Sequence, residues 1–473
     1  MEDKKRWLSH LIDSIPREAH GYPVTMYSIA LEGWRRGLTL KFINNRRNWK
    51  KAGIEYSLTY NGKEHRFIGS RTRLITKEAI KICVNKDLTK QYLSKAGIPI
   101  PLGEIFRKEN ADEEIINYAK TIGYPLVLKP SNGEGGKGVI ANIKSEKQFK
   151  DALKHVRYEL NYKELIVEKF FEGEDYRLFV IGDDVVGAIY RIPANVIGDG
   201  VNSIKQLLEK KLLERNKNPA LFRRPIQIDK EMIDILNMQG YTLDNVPNNG
   251  ERVNLKTKNN ISAGGDPIDV TDELTEEVKM NAIKAIKSIP GLLQGGVDVL
   301  FNKQNKTGVV IEVNTQPSIR THLFPMEGQA RDVPKKIIDY YFPETISNKL
   351  DNQPLYYFDI QNVFETFRSG IIKEITIPNV PKGELMATRF RLTGKLRGVN
   401  YENWVQARAR NLNLNGYIMH LKNGETSIVV SGSVDSINEF RKILINESPV
   451  KTNITKIVEK ERSKPVKIGF EIR

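Results

Sequence analysis

Two short apolar stretches near residue 300 each place an acid where a core strand should carry a hydrocarbon. GVDVLF (296–301) holds Asp298, and TGVVIEVN (307–314) holds Glu312, with Asn314 two residues further on. Residues two apart on a strand point to one face, so Glu312 and Asn314 share a side. A carboxylate inside an apolar strand is costly unless it is paired or holds a cation. Two carboxylates and an amide oxygen suit a hard cation such as Mg²⁺, with phosphate oxygens completing its shell. A salt bridge to a neighbouring lysine is the alternative the sequence leaves open.

Upstream, LVLKPSNGEGGKGV (126–139) ends a buried strand on Lys129 and continues into a loop with Gly133, Gly135, Gly136 and Gly138. Backbone N–H groups in such a loop can approach phosphate oxygens, and Lys129 adds a point charge. The stretch is neither G-x-x-x-x-G-K-[ST], because Lys137 precedes Gly138, nor G-x-G-x-x-G. A glycine-rich hairpin turn reads equally well from these residues alone. EKFFEGEDYR (168–177) follows, with Glu168, Phe170, Phe171 and Asp175 about a Gly173 turn. The two rings could face a flat base and Asp175 a sugar hydroxyl, although a core Phe pair is the simpler reading.

The rest of the chain alternates in type. Residues 38–43 and 55–69 read as strands, the latter a hairpin about Asn61-Gly62. Helices open near Thr76 and Asn85, and further helical pattern lies at 111–122, 201–215 and 273–288. Residues 177–192 read as a hairpin about Gly182-Asp183. A linker is expected over 346–387. Residues 388–473 then read strand, helix, strand, strand, helix, strand, with VKIGFEI as the last strand, which is the ferredoxin-like βαββαβ order. The expected organisation is an N-terminal α/β domain (1–80), a central domain (81–345), the linker and the C-terminal domain. The class is α+β.

Composition narrows the function. With 40% hydrophobic residues the chain can build real cores, and its one cysteine, Cys83, excludes an internal disulfide framework or a multi-cysteine metal site. Cys83 sits in an apolar helical run and reads as core. No uncharged run approaches the roughly 18 residues that span a bilayer. The N-terminus lacks the apolar centre of a signal peptide. A cytoplasmic protein without a membrane partner is expected. The net charge of +16 is concentrated at the ends: residues 1–80 carry 16 Lys/Arg against 8 Asp/Glu, and residues 391–473 carry 15 against 8. Such flanks favour an acidic substrate. Nucleic acid is disfavoured, because no basic run is interleaved with stacking aromatics.

Taken together and in this order, the lysine at a helix start, the strand-ending lysine, the glycine loop, V-E-x-F-x-x-G-x-D and D…E-x-N resemble the ATP-grasp ligases. RIPANVIGDGVNSIKQL (191–207), NISAGGDPIDVTDEL (260–274) and EVNTQPSIRTHLFPMEGQARDV (312–333) are similar to the ligase domains of cyanophycin synthetases and bifunctional glutathione synthetases. The resemblance covers roughly 75–345 and implies an ATP-grasp fold using ATP and Mg²⁺, with Mn²⁺ an alternative. It implies that Lys86 and Lys129 contact the phosphates, and that the loop with Ser131, Gly135 and Gly136 closes over them. Glu168 and the backbone near Phe170 and Phe171 would hold adenine, and Asp175 the ribose. Asp298, Glu312 and Asn314 would hold the cation. Arg191 and Arg320 would steady a phosphoryl group or substrate carboxylate. Ser262, Gly264 and Gly265 look like a substrate-side loop, with His322 beside it.

The implied reaction is attack of a carboxylate on the ATP γ-phosphate, then displacement of phosphate by an amine to form an amide. Amino acids, peptides or an amino-acid polymer are the expected substrates, and a homo-oligomer is compatible. A ligase acting on a protein side chain and a non-catalytic nucleotide-binding scaffold are the alternatives.

TGKLRGVNYENW (393–404) with GYIMHLKNGET (416–426) resembles acylphosphatase. Gly394, Gly398, Val399 and Tyr401 match that family's pattern, but its arginine position holds Glu402 and its asparagine position His420. A carboxylate repels the anion an arginine would cradle, so no acylphosphatase activity is expected. The loop 395–399, with Lys395 and Arg397, still offers backbone N–H groups to an anion.

Overall fold

The computed structural model describes residues 6–45, 54–131, 137–257, 259–348 and 356–473. The chain divides into two compact units, Asp3–Ile68 with Ile337–Arg473, and Gly69–Lys336. Among the described residues no helix is long and apolar enough to cross a membrane.

Besides the two-stranded pair Asn195–Ile197 with Arg252–Asn254, the described residues of Gly69–Lys336 form two larger antiparallel sheets. The smaller runs in the order Gly103–Phe106, Leu165–Lys169, Leu126–Pro130, Ile140–Ile143. Helices Asp112–Ile122 and Glu146–Lys154 cover it, burying Ile115, Phe149, Leu126 and Val167 in one core. The larger runs Asp266–Asp269, Asp184–Ile192, Glu174–Ile181, Gln294–Asn302, Thr307–Asn314. One of its faces packs Leu178, Val180, Val297 and Val313 against helices Lys77–Val84, Lys86–Lys95 and Glu276–Ser288.

The helix starts follow local chemistry. Thr76 accepts from Ala79 N at 3.1 Å and Asn85 from Leu88 N at 3.1 Å, both N-caps legible in the sequence. Ser203 and Gln206 form a capping box ahead of Ile204–Lys217. That helix belongs to an inserted segment with its own small core of Val196, Leu208, Met232 and Val253.

In the other unit, helix Pro23–Arg35 packs on the strands Thr39–Asn44 and Ile54–Tyr60, and Lys63–Ile68 pairs with the second of them. Part of the stretch expected as a linker is structured. Phe358 is fully buried, with its ring 4.7 Å from Tyr27 and 5.7 Å from Trp34. Helix Ile360–Arg368 follows, capped by Asp359, and strand Glu374–Thr376 pairs antiparallel with Thr39–Asn44. The N-terminal residues therefore complete their sheet with chain from beyond residue 370.

The C-terminal domain has the expected strand–helix–strand–strand–helix order, but its last core strand differs from the expectation. Asn453–Glu461 pairs with Leu385–Lys395, giving the order Asn453–Glu461, Leu385–Lys395, Thr426–Ser433, Asn415–His420. VKIGFEI instead adds Phe470–Ile472 in parallel at the opposite edge, beside Asn415–His420. Asn453–Glu461 escapes notice in the sequence because it is a mostly exposed edge strand carrying Lys456, Glu459, Lys460 and Glu461. Charge on an edge blocks unwanted pairing but erases the apolar signature of a strand.

Candidate functional site

The larger sheet has an apolar face and a charged one. Its register sets Asp298 opposite both Arg177 and Glu312, and Gly296 opposite Asn314. Directly paired residues share a face, so Arg177, Asp298, Glu312 and Asn314 rise together from three adjacent strands. Arg191 and Asp175 extend the row. Arg191 Nη2 lies 2.5 Å from each Asp175 oxygen and 3.7 Å from Asp298 Oδ2. Arg177 grips Asp298 through Nε–Oδ1 and Nη2–Oδ2, both 2.6 Å. The Phe-turn sequence drew attention to Asp175 and passed over Arg177, whose strand parity with Asp175 was the available signal.

The electrostatics of the row suit a cation. Burial would push the Asp298 carboxyl up, but the Arg177 guanidinium outweighs it and holds Asp298 below the usual range. Glu312 is pushed up, first by burial and then by the Asp298 charge beside it. A cation shared by the two carboxylates would lower the cost of ionising Glu312 beside Asp298. Asn314 Nδ2 is buried without a hydrogen-bond partner, while a cation would take the amide through Oδ1. Among the described residues no three His, Cys, Asp or Glu side chains form a metal-binding group. A cation here would rest on Asp298, Glu312 and the Asn314 amide oxygen, the set that the sequence resemblance implies. It would supply positive charge for phosphate oxygens.

Lysines gather nearby. Glu168 Oε2 accepts from Lys129 Nζ at 2.5 Å and Oε1 from Lys90 Nζ at 3.0 Å. Burial would lift the Glu168 carboxyl, but the two ammoniums hold it below its usual range. Each Glu168 oxygen thus carries one ammonium group. Lys90 carried no motif and was missed, although its i, i+4 spacing from Lys86 was visible. Lys86 is half-buried, and burial pushes its ammonium down against the raising effect of Glu312. Lys86, Lys90, Glu168 and Glu312 line one small pocket together with Cys83 and Val310. Cys83 belongs to the apolar side, and burial pushes its thiol up to about 12, the behaviour of a core cysteine.

Ser131 donates to Glu164 Oε2 at 3.0 Å, while Gly135 and Gly136 lie outside the described residues. Phe170 and Phe171 are half-buried after strand Leu165–Lys169, and the Phe170 N–H is used by Pro125 O at 3.0 Å. Arg320 is buried on the short helix Arg320–Leu323. His322 is 1% exposed, neither ring nitrogen has a hydrogen-bond partner, and burial drives it down to about 4. Ser262 accepts from Arg224, within the loop that ends at Gly265.

In the C-terminal domain the two exchanged positions meet: His420 Nε2 contacts Glu402, and His420 Nδ1 is 2.8 Å from Thr426 Oγ1. Both imidazole nitrogens are engaged, so neither is open to a water. Arg397 Nη2 is turned to Leu421 O at 2.9 Å.

Residues 83–236 match the RimK-like ATP-grasp domain, and residues 388–472 match the acylphosphatase family. The fold is ATP-grasp with an acylphosphatase-like domain at the C-terminus. Cyanophycin synthetase of Synechocystis sp. is 33% identical over 278 residues, 57% of this chain and 32% of that protein. The glutathione biosynthesis bifunctional protein of Clostridium perfringens is 31% identical over 319 residues, 62% of this chain and 40% of that protein. The crystal structure of a bifunctional glutathione synthetase from Pasteurella multocida superposes with a TM-score of 0.50 at 28% identity, covering 61% of this chain and 40% of that one. The chain thus spans about a third of the length of the cyanophycin synthetases it matches.

Proposed function

We propose that this protein is an ATP-dependent carboxylate–amine ligase that forms an amide bond through an acyl-phosphate intermediate. The observation that carries this reading is the pocket shared by Lys86, Lys90, Glu168 and Glu312, which joins the lysine cluster to the carboxylate row of the larger sheet. Lys86 and Lys129 supply charge to a triphosphate, and Arg191 steadies the transferred phosphoryl group or the attacking carboxylate. Asp298, Glu312 and Asn314 hold Mg²⁺, which Mn²⁺ can replace, and the bound ion offsets phosphate charge. The substrates are amino acids, peptides or an amino-acid polymer, and the basic flanks favour acidic ones. The single cysteine suits a reducing, cytoplasmic setting.

The test is a phosphate-release screen over pairs of amino acids and dipeptides, with mass analysis of the products. ATP-dependent formation of an amide is expected. Lys129→Ala and Glu312→Gln should each lower its rate on the order of 100-fold. ATP binding with no turnover of any pair, unchanged by either substitution, would leave the scaffold reading in its place.

A further inference from the structure

At Glu168 one carboxylate serves two ammonium groups, Lys129 from the strand Leu126–Pro130 and Lys90 from the helix Lys86–Lys95. The Lys90 contact is built by more than one element. Lys86 and Lys90 are four residues apart and leave the same helix face, and Thr89 Oγ1 ties that helix to Ile82 O at 2.8 Å. Lys90 Nζ also donates to Gly103 O at 3.2 Å. Gly103 pairs in register with Glu168. A Cβ at residue 103 would lie 2.6 Å from Glu168 Cγ and collide with Val167 O, so only glycine lets the Glu168 side chain cross residue 103 towards Lys90. Glu168 itself is 4% exposed.

We propose that Lys90 is a positioning residue of the nucleotide site: it keeps Glu168 compensated when Lys129 leaves that carboxylate for a phosphate. The inference rests on the ATP reading above. An arriving triphosphate competes with Glu168 for Lys129. With Lys129 alone on Glu168, that exchange would strand a buried carboxylate, which is strongly unfavourable. With Lys90 present, one ammonium stays on Glu168 while the other turns to the anion, and no buried charge is left unpaired. Lys90 acts through Glu168 and need not touch the phosphates.

The experiment is a fluorescence titration of the full chain with an N-methylanthraniloyl derivative of ATP. The proteins are wild type, Lys90→Met, Lys90→Arg, Glu168→Gln and the Lys90→Met/Glu168→Gln double variant. Lys90→Met should raise Kd about tenfold or more. Lys90→Arg keeps the charge, guards against a folding defect, and should bind within about threefold of wild type. The double variant should bind within about twofold of Glu168→Gln alone, because no carboxylate remains to be stranded. Wild-type affinity in Lys90→Met overturns the inference, as does a loss that Glu168→Gln does not repair, which would mark a packing role or a direct phosphate contact. Failure of the wild type itself to bind the probe would instead sink the ATP reading and the inference with it.

Discussion

His322 shows how strongly position overrides residue type. A solvated imidazole titrates near neutrality, but here burial is the main cause of a pKa of about 4, so the ring stays neutral in the fold. As pH falls below about 6.5 the unfolded chain takes up a proton that the folded chain refuses until about 4, so stability is lost across that window. Full development of that difference is about 3 kcal/mol. His322→Phe should flatten the denaturant midpoint between pH 6.5 and 4 relative to wild type. Equal slopes in the two proteins would mean that the ring is protonated in the fold. Glu312 has the opposite sign, an acid made weaker by burial and by Asp298. Protons therefore compete with a cation at Glu312 from a higher pH than at an exposed glutamate.

At the level of elements, the strand pair Gln294–Asn302 and Thr307–Asn314 carries the reactive face, and a one-residue slip would turn every acid into the core. The ferredoxin-like element order is equally firm in the C-terminal domain, yet two side chains of the acylphosphatase pattern are exchanged. Glu402 and His420 satisfy each other across the helix Tyr401–Asn411 and the strand Asn415–His420. Wild-type protein should hydrolyse benzoyl phosphate no faster than buffer. The joint change Glu402→Arg and His420→Asn returns the side chains of the acylphosphatase pattern and should raise that rate about tenfold or more. Hydrolysis by the wild type that collapses in Glu402→Ala would show that the exchanged pair is itself a catalyst.

On the scale of the whole molecule, the first and last parts of the chain form one unit. Strand Tyr356–Tyr357 pairs with Val466–Lys467, Tyr356 Oη meets Ser431 Oγ at 2.7 Å, and Lys467 bridges to Asp359 at 2.8 Å. Removing 388–473 should therefore unsettle the N-terminal sheet, which relies on Phe358 and Glu374–Thr376 being held in place. Calorimetry of the truncated protein should lose the transition of that unit, with new proteolysis between 356 and 376, while the Gly69–Lys336 unit melts as before. Unchanged melting would mean that the C-terminal domain is a passive appendage.

The sequence by itself determined the local chemistry: the helix starts at Thr76 and Asn85, the α+β alternation, the shared face of Glu312 and Asn314, and a carboxylate, Glu402, where the acylphosphatase pattern has an arginine. Each of these depends on neighbours a few residues away, and periodicity reports them directly. Only the tertiary structure decided which charges compensate which. Arg177 reaches Asp298 across 121 residues, Lys90 meets Glu168 across 78, and Phe358 closes a core begun at Tyr27. Contacts at such separations arise from sheet register and from packing between distant segments, and no local pattern encodes either.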